Sequence, residues 1–499
     1  MSSNRTQHPI TLGTKLFYGF GSVAYGVKDQ GFAYLLLIYY NQVLGLPAKQ
    51  VGFALLIVLL IDACLDPIIG QWSDMLHSRW GRRHPFMYAT ALPVALSYLL
   101  LWDPPAGLSG PTLFWYLLGI AVLIRFLIAL YEIPSSALAP ELTTSYHERT
   151  SLLGYRQLFG WLGGLTMAFL AFGVFLTPDA EHKVGQLNPI GYAHYGWTAA
   201  ALMFGAIVIS AAGTHRRIPY LKAPPPRRRF APLREIREMA AMLAHRSLLM
   251  LLFGGLFSGT AIGLTTALTY YFFTYFWELT SKQIAVLLFA NVISALVALP
   301  LATLASRRLG KKQAAILLWS SALIIGPLLL ILRLAGLLPA NGTDMLRGIL
   351  FVHSAIWIAL FIGSAILIAS MIADVVEERQ VATGRRAEGL LFAANSFILK
   401  FTSGIGIYGA GILLGVVGFP EGAVPGKVDT AVLNELAIVF AALTTVLFLV
   451  AIGFISAYRI DRKTHEANVQ RLAEAGALAA PAAKISVPGF VTELPLPGE

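Results

Sequence analysis

Stretches of about twenty mostly apolar residues recur twelve times along this chain, and that recurrence limits the fold more than any other property. They fall near 15–43, 49–73, 86–103, 111–139, 150–177, 193–213, 246–276, 281–305, 312–334, 345–373, 387–416 and 428–457. A helix needs about 20 residues to cross the hydrocarbon core of a bilayer. Inside that core the chain must satisfy its own backbone N–H and C=O groups, which leaves helices or a closed barrel. The alternating ten-residue pattern of barrel strands is missing from this sequence. The expected fold class is therefore an all-α polytopic membrane protein with twelve transmembrane helices. Composition agrees: 57% of the 499 residues are hydrophobic and 13% are charged, against about 25% charged in soluble domains.

The net charge of +11 is distributed by topology and gives no sign of nucleic-acid binding. Lysine and arginine gather in alternate loops: Arg79, Arg82 and Arg83; Arg149; Arg216 to Arg246; Arg307, Arg308, Lys311 and Lys312; Arg379, Arg385 and Arg386. The intervening loops hold little more than Lys49, Lys183, Lys282 and Lys427. That bias places both termini on the cytoplasmic side of the cytoplasmic (inner) membrane. Residues 1–14 are polar and lack the apolar run and small-residue cleavage site of a signal peptide, so the first helix is expected to act as the insertion signal. The single cysteine, Cys64, cannot form an internal disulfide.

Residues 214–245 interrupt the apolar rhythm with a Pro-Arg run, THRRIPYLKAPPPRRRFAPLREIREM, in which REIREM has the character of a short surface helix. The expected organisation is a cytoplasmic N-terminus (1–14), a six-helix bundle (15–213), a cytoplasmic central loop (214–245), a second six-helix bundle (246–460) and a disordered cytoplasmic tail (461–499). Both halves carry a basic turn between their second and third helices, RWGRRHP in the first and SRRLGKKQA in the second. A repeated six-helix unit is the mark of transporters that rock two bundles about a midplane site.

Ionisable groups nevertheless stand inside the apolar stretches: Lys28 and Asp29, Asp62 and Asp66, Arg125 and Glu132, Arg156, and Lys400. Each would cost roughly 2.5–3.5 kcal/mol at the bilayer centre, so they must pair or line a cavity. Asp62 and Asp66 lie one helical turn apart, about 40° around the axis, where two like charges invite a shared cation or proton. Arg125 and Glu132, seven residues apart, share a helix face to within about 20°, so Arg125 is a candidate counter-ion to Glu132. The aromatic run Tyr270 to Trp277 reads as an interfacial belt and packing surface, with one or two rings able to stack on a ligand. His353 and Trp357, four apart, read as core packing. The histidines show no metal-ligand spacing. A phosphate-cradling loop is absent too, and no nucleophile–base set suggests an enzyme. No cofactor is expected.

The segments KLFYGFG, IDACLDPIIGQWSD, RWGRRHPF, YEIPSSALAPEL, YHERTSLLGYR and TGRRAEGLLFAANSFILK resemble the glycoside–pentoside–hexuronide:cation symporters (melibiose permease-like) of the major facilitator superfamily, over residues 12 to 460. The resemblance implies cation binding at Asp62 and Asp66, and substrate binding at Glu132 and Arg156. It further implies contacts from Asn395 and Ser396, and coupling through Lys400. It departs at Gly26, where the family's sugar-binding aspartate would fall; Asp29, three residues on, is the candidate substitute. Ser136 stands at a stacking aromatic, and Leu65 and Ala129 replace polar residues of a sodium site, which favours H+ over Na+ as the coupling ion. Arg125 has no basic counterpart in the family's fourth helix and suits an anionic substrate such as a uronide. Asp74 with Arg79, Arg82 and Arg83, facing Arg307, Arg308, Lys311 and Lys312, is expected to form a cytoplasmic gate that breaks on inward opening.

The expectation is thus a monomeric, cation-coupled symporter of a sugar, glycoside or uronide working by alternating access in the bilayer. Two alternatives stay open: a lysophospholipid transporter of the same fold, and a non-transporting membrane sensor.

Overall fold

The computed structural model describes residues 10–143, 145–221, 246–383 and 388–457, without the side chains of 146–147, 246–248, 373–383 and 388–396. The REIREM segment, the tail, and the side chains of Arg379, Arg385, Arg386, Asn395 and Ser396 lie outside the described residues.

Among these residues eleven helices are long and apolar enough to cross a membrane. The first segment, α1 (residues 12–43), supplies the twelfth crossing. It is helical throughout but carries Lys28 and Asp29, and it alternates α-helix with π turns at Gly31–Leu35 and Tyr39–Val43. The others are α2 (Ala48–Met75), α3 (His84–Trp102), α4 (Gly110–Ala137, extended by Ala139–Leu142), α5 (Tyr146–Leu170 with a π turn at Ala171–Phe175) and α6 (Pro189–His215). After the central loop come α7 (Arg246–Tyr271 with a π turn at Phe272–Phe276), α8 (Ser281–Leu309), α9 (Lys311–Ile325, broken at Gly326–Pro327 and resumed over Leu328–Leu334), α10 (Asp344–Thr383), α11 (Glu388–Val416) and α12 (Thr430–Ser456). The apolar stretches of the sequence thus match the helices to within four residues, except that α10 continues ten residues past its stretch to Thr383.

The two halves share a local repeat that fixes how α1 and α7 leave the membrane. Leu46-Pro47-Ala48-Lys49-Gln50-Val51 parallels Leu279-Thr280-Ser281-Lys282-Gln283-Ile284. The backbone repeats with it: Leu46 N–H bonds to the Tyr40 carbonyl at 2.9 Å, and Leu279 N–H to that of Phe273 at 2.8 Å. Each turn needs one residue in the left-handed region. In the first half this is Gly45, φ +72°, and in the second Glu278, φ +50°, the one non-glycine with positive φ among the described residues. Glycine meets that demand without a steric penalty; a residue with Cβ does not.

Glycine also sets the closest helix crossings. Gly26 on α1 faces the Gly160 carbonyl on α5, where a Cβ would collide with it, and Gly164 in turn approaches the Gly26 carbonyl. The missing aspartate at position 26 is therefore a packing requirement: no side chain fits there. Gly52 and Gly411 bring α2 and α11 together in the same way, next to Tyr408 and Ala48 respectively. This second crossing joins the two halves.

Glu278→Gly should stabilise the protein by about 1 kcal/mol by relieving the left-handed backbone. A thermal unfolding midpoint that rises against wild type checks this, and Gly45→Glu should lower it.

Candidate functional site

Call the end that carries the loops around 76–83, 216–221 and 307–312 the basic end. The halves are sealed at the opposite end by buried polar groups rather than charges. Tyr271 Oη donates to Asn41 Oδ1 (2.7 Å) and Tyr275 Oη to Gln42 Oε1 (3.0 Å). Gln42 Oε1 also accepts from Ala423 N–H (2.9 Å), while its Nε2 donates to the Pro420 carbonyl (3.2 Å). Gln186 Nε2 donates to the Leu279 carbonyl at 2.6 Å. Tyr270, Tyr271, Phe272, Tyr275, Phe276 and Trp277 are all buried. Tyr271 and Tyr275 carry the seal between the halves, and Tyr270, Phe272, Phe273 and Trp277 line the cavity, so the run is not a lipid-facing belt and keeps rings within reach of a ligand. Nothing in their spacing along the sequence distinguishes the two roles.

At mid-depth the halves are joined by charge. Lys400 on α11 reaches across to α2, with Nζ 2.9 Å from Asp62 Oδ2 and 2.5 Å from Asp66 Oδ2. Arg125 on α4 lies 3.3 Å from the same Asp62 oxygen and 4.7 Å above the Phe32 ring. The pairing of Arg125 with Glu132 read from the sequence is thus corrected. The two share a face but sit two helical turns apart, about 10 Å along the axis, so each meets a different neighbouring helix. Arg125 is buried in the aspartate cluster and does not line the cavity, which removes it from the substrate-binding set. The Asp62 side chain is 4% exposed and that of Asp66 30%. Asp66 is therefore the more accessible of the two.

Beside this cluster a cavity of about 780 Å³ runs between the halves, within the range of sites that take drug-sized ligands. Asp29, Gln30, Glu132, Arg156 and Gln157 form its charged wall in the first half. Lys28, buried behind it, pairs with Asp29 at 3.5 Å, and Asp29 is left half exposed. Arg156 is held on three sides: Nη1 donates to Ser135 Oγ at 3.0 Å, Nη2 contacts Glu132 Oε1, and the guanidinium lies 5.8 Å from the Tyr18 ring centre. The second Glu132 oxygen, Oε2, is buried without a partner among the described residues. An unmet buried acceptor is costly, and a substrate hydroxyl donating to it would remove the cost. His353 and Trp357 also line the cavity, and Trp357 packs at the same time against the core of the second half, stacked on Phe361. Ser136 is not among the lining residues, nor are Asp62, Asp66 and Lys400. The substrate wall and the aspartate cluster are separate but adjacent.

On the first-half side of the expected gate the acidic and basic groups pair with one another. Asp74 pairs with Arg83 and lies 3.9 Å from Arg82, and both arginines contact Glu141 Oε1 at 2.8 Å. Arg83 Nη1 also donates to Ser73 Oγ at 2.5 Å. This cluster closes within the first half, around a glutamate that sequence reasoning passed over although it lies in the quoted YEIPSSALAPEL motif. It is intact while the seal stands at the opposite end. Arg307 and Arg308 on α8 are exposed, and Lys311 and Lys312 half-buried. Arg79 stacks 5.8 Å from the neighbouring Trp80 ring.

Residues 17–462 match the family model described as MFS/sugar transport protein, and the chain belongs to that family. An uncharacterized symporter, sll1374, of Synechocystis sp. is 32% identical over 47% of this chain, an alignment that spans 43% of that protein. The isoprimeverose transporter of Lactiplantibacillus pentosus is 26% identical over 77% of this chain and 76% of its own. Among solved structures, a bacterial homologue of the iron transporter ferroportin, in an inward-facing state, superposes with a TM-score of 0.60. That match covers 89% of this chain and 100% of the other at 14% identity, a likeness of fold alone.

Glu141→Ala should cost roughly 3–5 kcal/mol by leaving two arginine side chains in a poorly solvated site without their carboxylate. The readout is the thermal midpoint of purified protein, with Glu141→Asp expected to lose much less.

Proposed function

Because the chain belongs to the MFS/sugar transport protein family and carries a charged cavity wall beside an aspartate pair, we propose that it is a cation-coupled symporter. Its substrate is a sugar, glycoside or uronide, moved across the cytoplasmic membrane with both termini inside. The carrying observation is the bridge from Lys400 on one half to Asp62 and Asp66 on the other. A cation on that pair competes with the ammonium for the same oxygens. Loading therefore weakens a contact between the halves at mid-depth, which is how ion binding biases two conformations.

The coupling ion is H+. Hard metal cations take several oxygen ligands, and here Asp62 Oδ2 already accepts from Arg125 and Lys400 while Leu65 and Ala129 beside it offer none. A proton needs a single oxygen, and the half-exposed Asp66 supplies it. Substrate hydroxyls meet Glu132 Oε2 and Asp29, with Arg156 holding Glu132 in place and ready for an anionic group. In this reading the seal at Asn41, Gln42, Tyr271 and Tyr275 is the outer closure, and substrate leaves by the basic, cytoplasmic end.

The test is uptake into proteoliposomes from a panel of sugars, glycosides and uronides under a proton gradient and, separately, a sodium gradient. Accumulation under the proton gradient alone is expected; accumulation under sodium alone would overturn the ion, and none under either would overturn the transport reading. Asp66→Asn should abolish concentrative uptake while leaving exchange of substrate across the membrane. Glu132→Gln should weaken substrate binding by about 10- to 100-fold, the worth of a hydrogen bond to a charged group, measured by calorimetric titration.

A further inference from the structure

Lys28 neither lines the cavity nor pairs directly with the aspartates of α2, yet it stands between the two. Its side chain is 3% exposed and that of Asp29 55%, so the ammonium backs the cavity-wall carboxylate from the protein side. On its other side, Phe32, one turn further along α1, lies 4.7 Å beneath the Arg125 guanidinium, and Arg125 holds Asp62. Lys28 acts electrostatically on both Asp62 and Asp66. For a buried cation it is loosely held. An ammonium has three N–H donors, but among the described residues the one hydrogen-bond acceptor for Lys28 is Asp29 Oδ1 at 3.5 Å, with the Tyr25 ring centre 4.2 Å away.

A small displacement of that ammonium decides which carboxylates it serves. Asp29 draws it towards the cavity wall. On the α2 side Asp62 and Asp66 attract it, while Arg125 and Lys400 repel it. A proton on Asp66 removes one of the two attractions and leaves both repulsions, so the balance tips towards Asp29. Held through one oxygen, the Asp29 carboxylate is fixed in direction, with its other oxygen free for a substrate hydroxyl. With Asp66 ionised the hold slackens, and a half-exposed carboxylate that must be ordered by substrate binds it less well. We propose that Lys28 is the positioning residue that carries the coupling: it fixes Asp29 when Asp66 is protonated and releases it when Asp66 is ionised. This rests on the symporter reading and supplies the link between its two sites. By linkage, substrate at Asp29 favours the proton on Asp66 by the same factor. The other titratable groups around this stretch of α1 are Tyr25 itself, Tyr98 on α3, which donates to the Val27 carbonyl at 3.2 Å, and Tyr195 on α6, 3.4 Å from Tyr98. Tyr270 on α7 meets Gln30 at 3.4 Å, and Glu132 on α4 pairs with Arg156 on α5 further along the wall. Tyrosine ordinarily ionises near pH 10, above the range in which the coupling is read.

The experiment uses the full chain in proteoliposomes, with xylose, methyl β-glucoside and methyl β-glucuronide as probes. The probe accumulated under a proton gradient is then exchanged across the membrane at equal pH on both sides, and its half-saturating concentration is read at pH 5.5 and at pH 8.5. In wild type this concentration should rise with pH by about fivefold or more, the lower end of typical coupling between sites. In Lys28→Met and Lys28→Gln it should change by less than about twofold, with accumulation lost and exchange kept, as in Asp66→Asn. Lys28→Arg, which keeps the charge, should keep the pH dependence. A lysine with a structural role alone would change the amount of active carrier and leave the ratio of the two concentrations as it is. A ratio that survives in either neutral variant, a ratio lost in Lys28→Arg with exchange intact, or loss of exchange in all three overturns the assignment. A wild-type ratio near one with accumulation intact also overturns it and leaves the symporter reading standing. Accumulation under a sodium gradient alone removes the proton, and this role of Lys28 with it, but not transport. No accumulation of any probe under either gradient removes the symporter reading itself.

Discussion

An ammonium from one six-helix bundle lies between two carboxylates of the other, and the arrangement of the remaining charges follows from that contact. Lys400, Asp62 and Asp66 could not be left singly in a bilayer core, where each would carry a penalty of roughly 2.5–3.5 kcal/mol. Brought together across the interface of α2 and α11 they satisfy one another, at 2.9 and 2.5 Å. Such a contact is weak evidence for stability, since desolvation offsets much of the attraction. In the proposed cycle its use is as a contact that a bound cation can compete for. Arg125 beside Asp62 adds a second fixed positive group, and what remains open to an incoming ion is the more accessible Asp66.

Glycine makes the contact reachable. The α2–α11 crossing is close because Gly52 and Gly411 let backbones meet, as small residues do where helices pack without a hydrophobic driving force. The crossing of α1 on α5 at Gly26 and Gly160 works in the same way. It brings Asp29 and Gln30 to one side of a cavity and Arg156 and Gln157 to the next. Position 26 thus lost a possible binding side chain, and the carboxylate of Asp29, one turn on, stands in the cavity instead. The seal at the end away from the basic loops uses neutral amides and tyrosine hydroxyls in place of ion pairs. Hydrogen bonds among neutral groups are individually worth about 1 kcal/mol, a scale suited to a closure that must form and break repeatedly.

Much of this was legible in the chain. Bilayer thickness and the need to satisfy every backbone group fix the helices from hydropathy alone, and a charge inside an apolar stretch marks a functional position because lipid tolerates it so poorly. The quoted motifs led to the same residues from family resemblance. Glu141 was visible as a residue but not as a partner: its role depends on Arg82 and Arg83 arriving from another loop. Arg125 was misassigned because helical periodicity gives the direction in which a side chain points, and not the neighbour it will find there.

What the sequence by itself determined is the number of crossings, the two-bundle plan and the identity of the charged set, since these follow from local chemistry set against a single solvent, lipid. What only the tertiary structure decided is the grouping. It placed Arg125 with Asp62 and Glu132 with Arg156, turned the Tyr270–Trp277 run into a seal, and kept the Asp74–Glu141 cluster within one half. Those outcomes depend on which helix faces meet at close range, and closeness is set by packing between residues hundreds of positions apart, which no local pattern encodes.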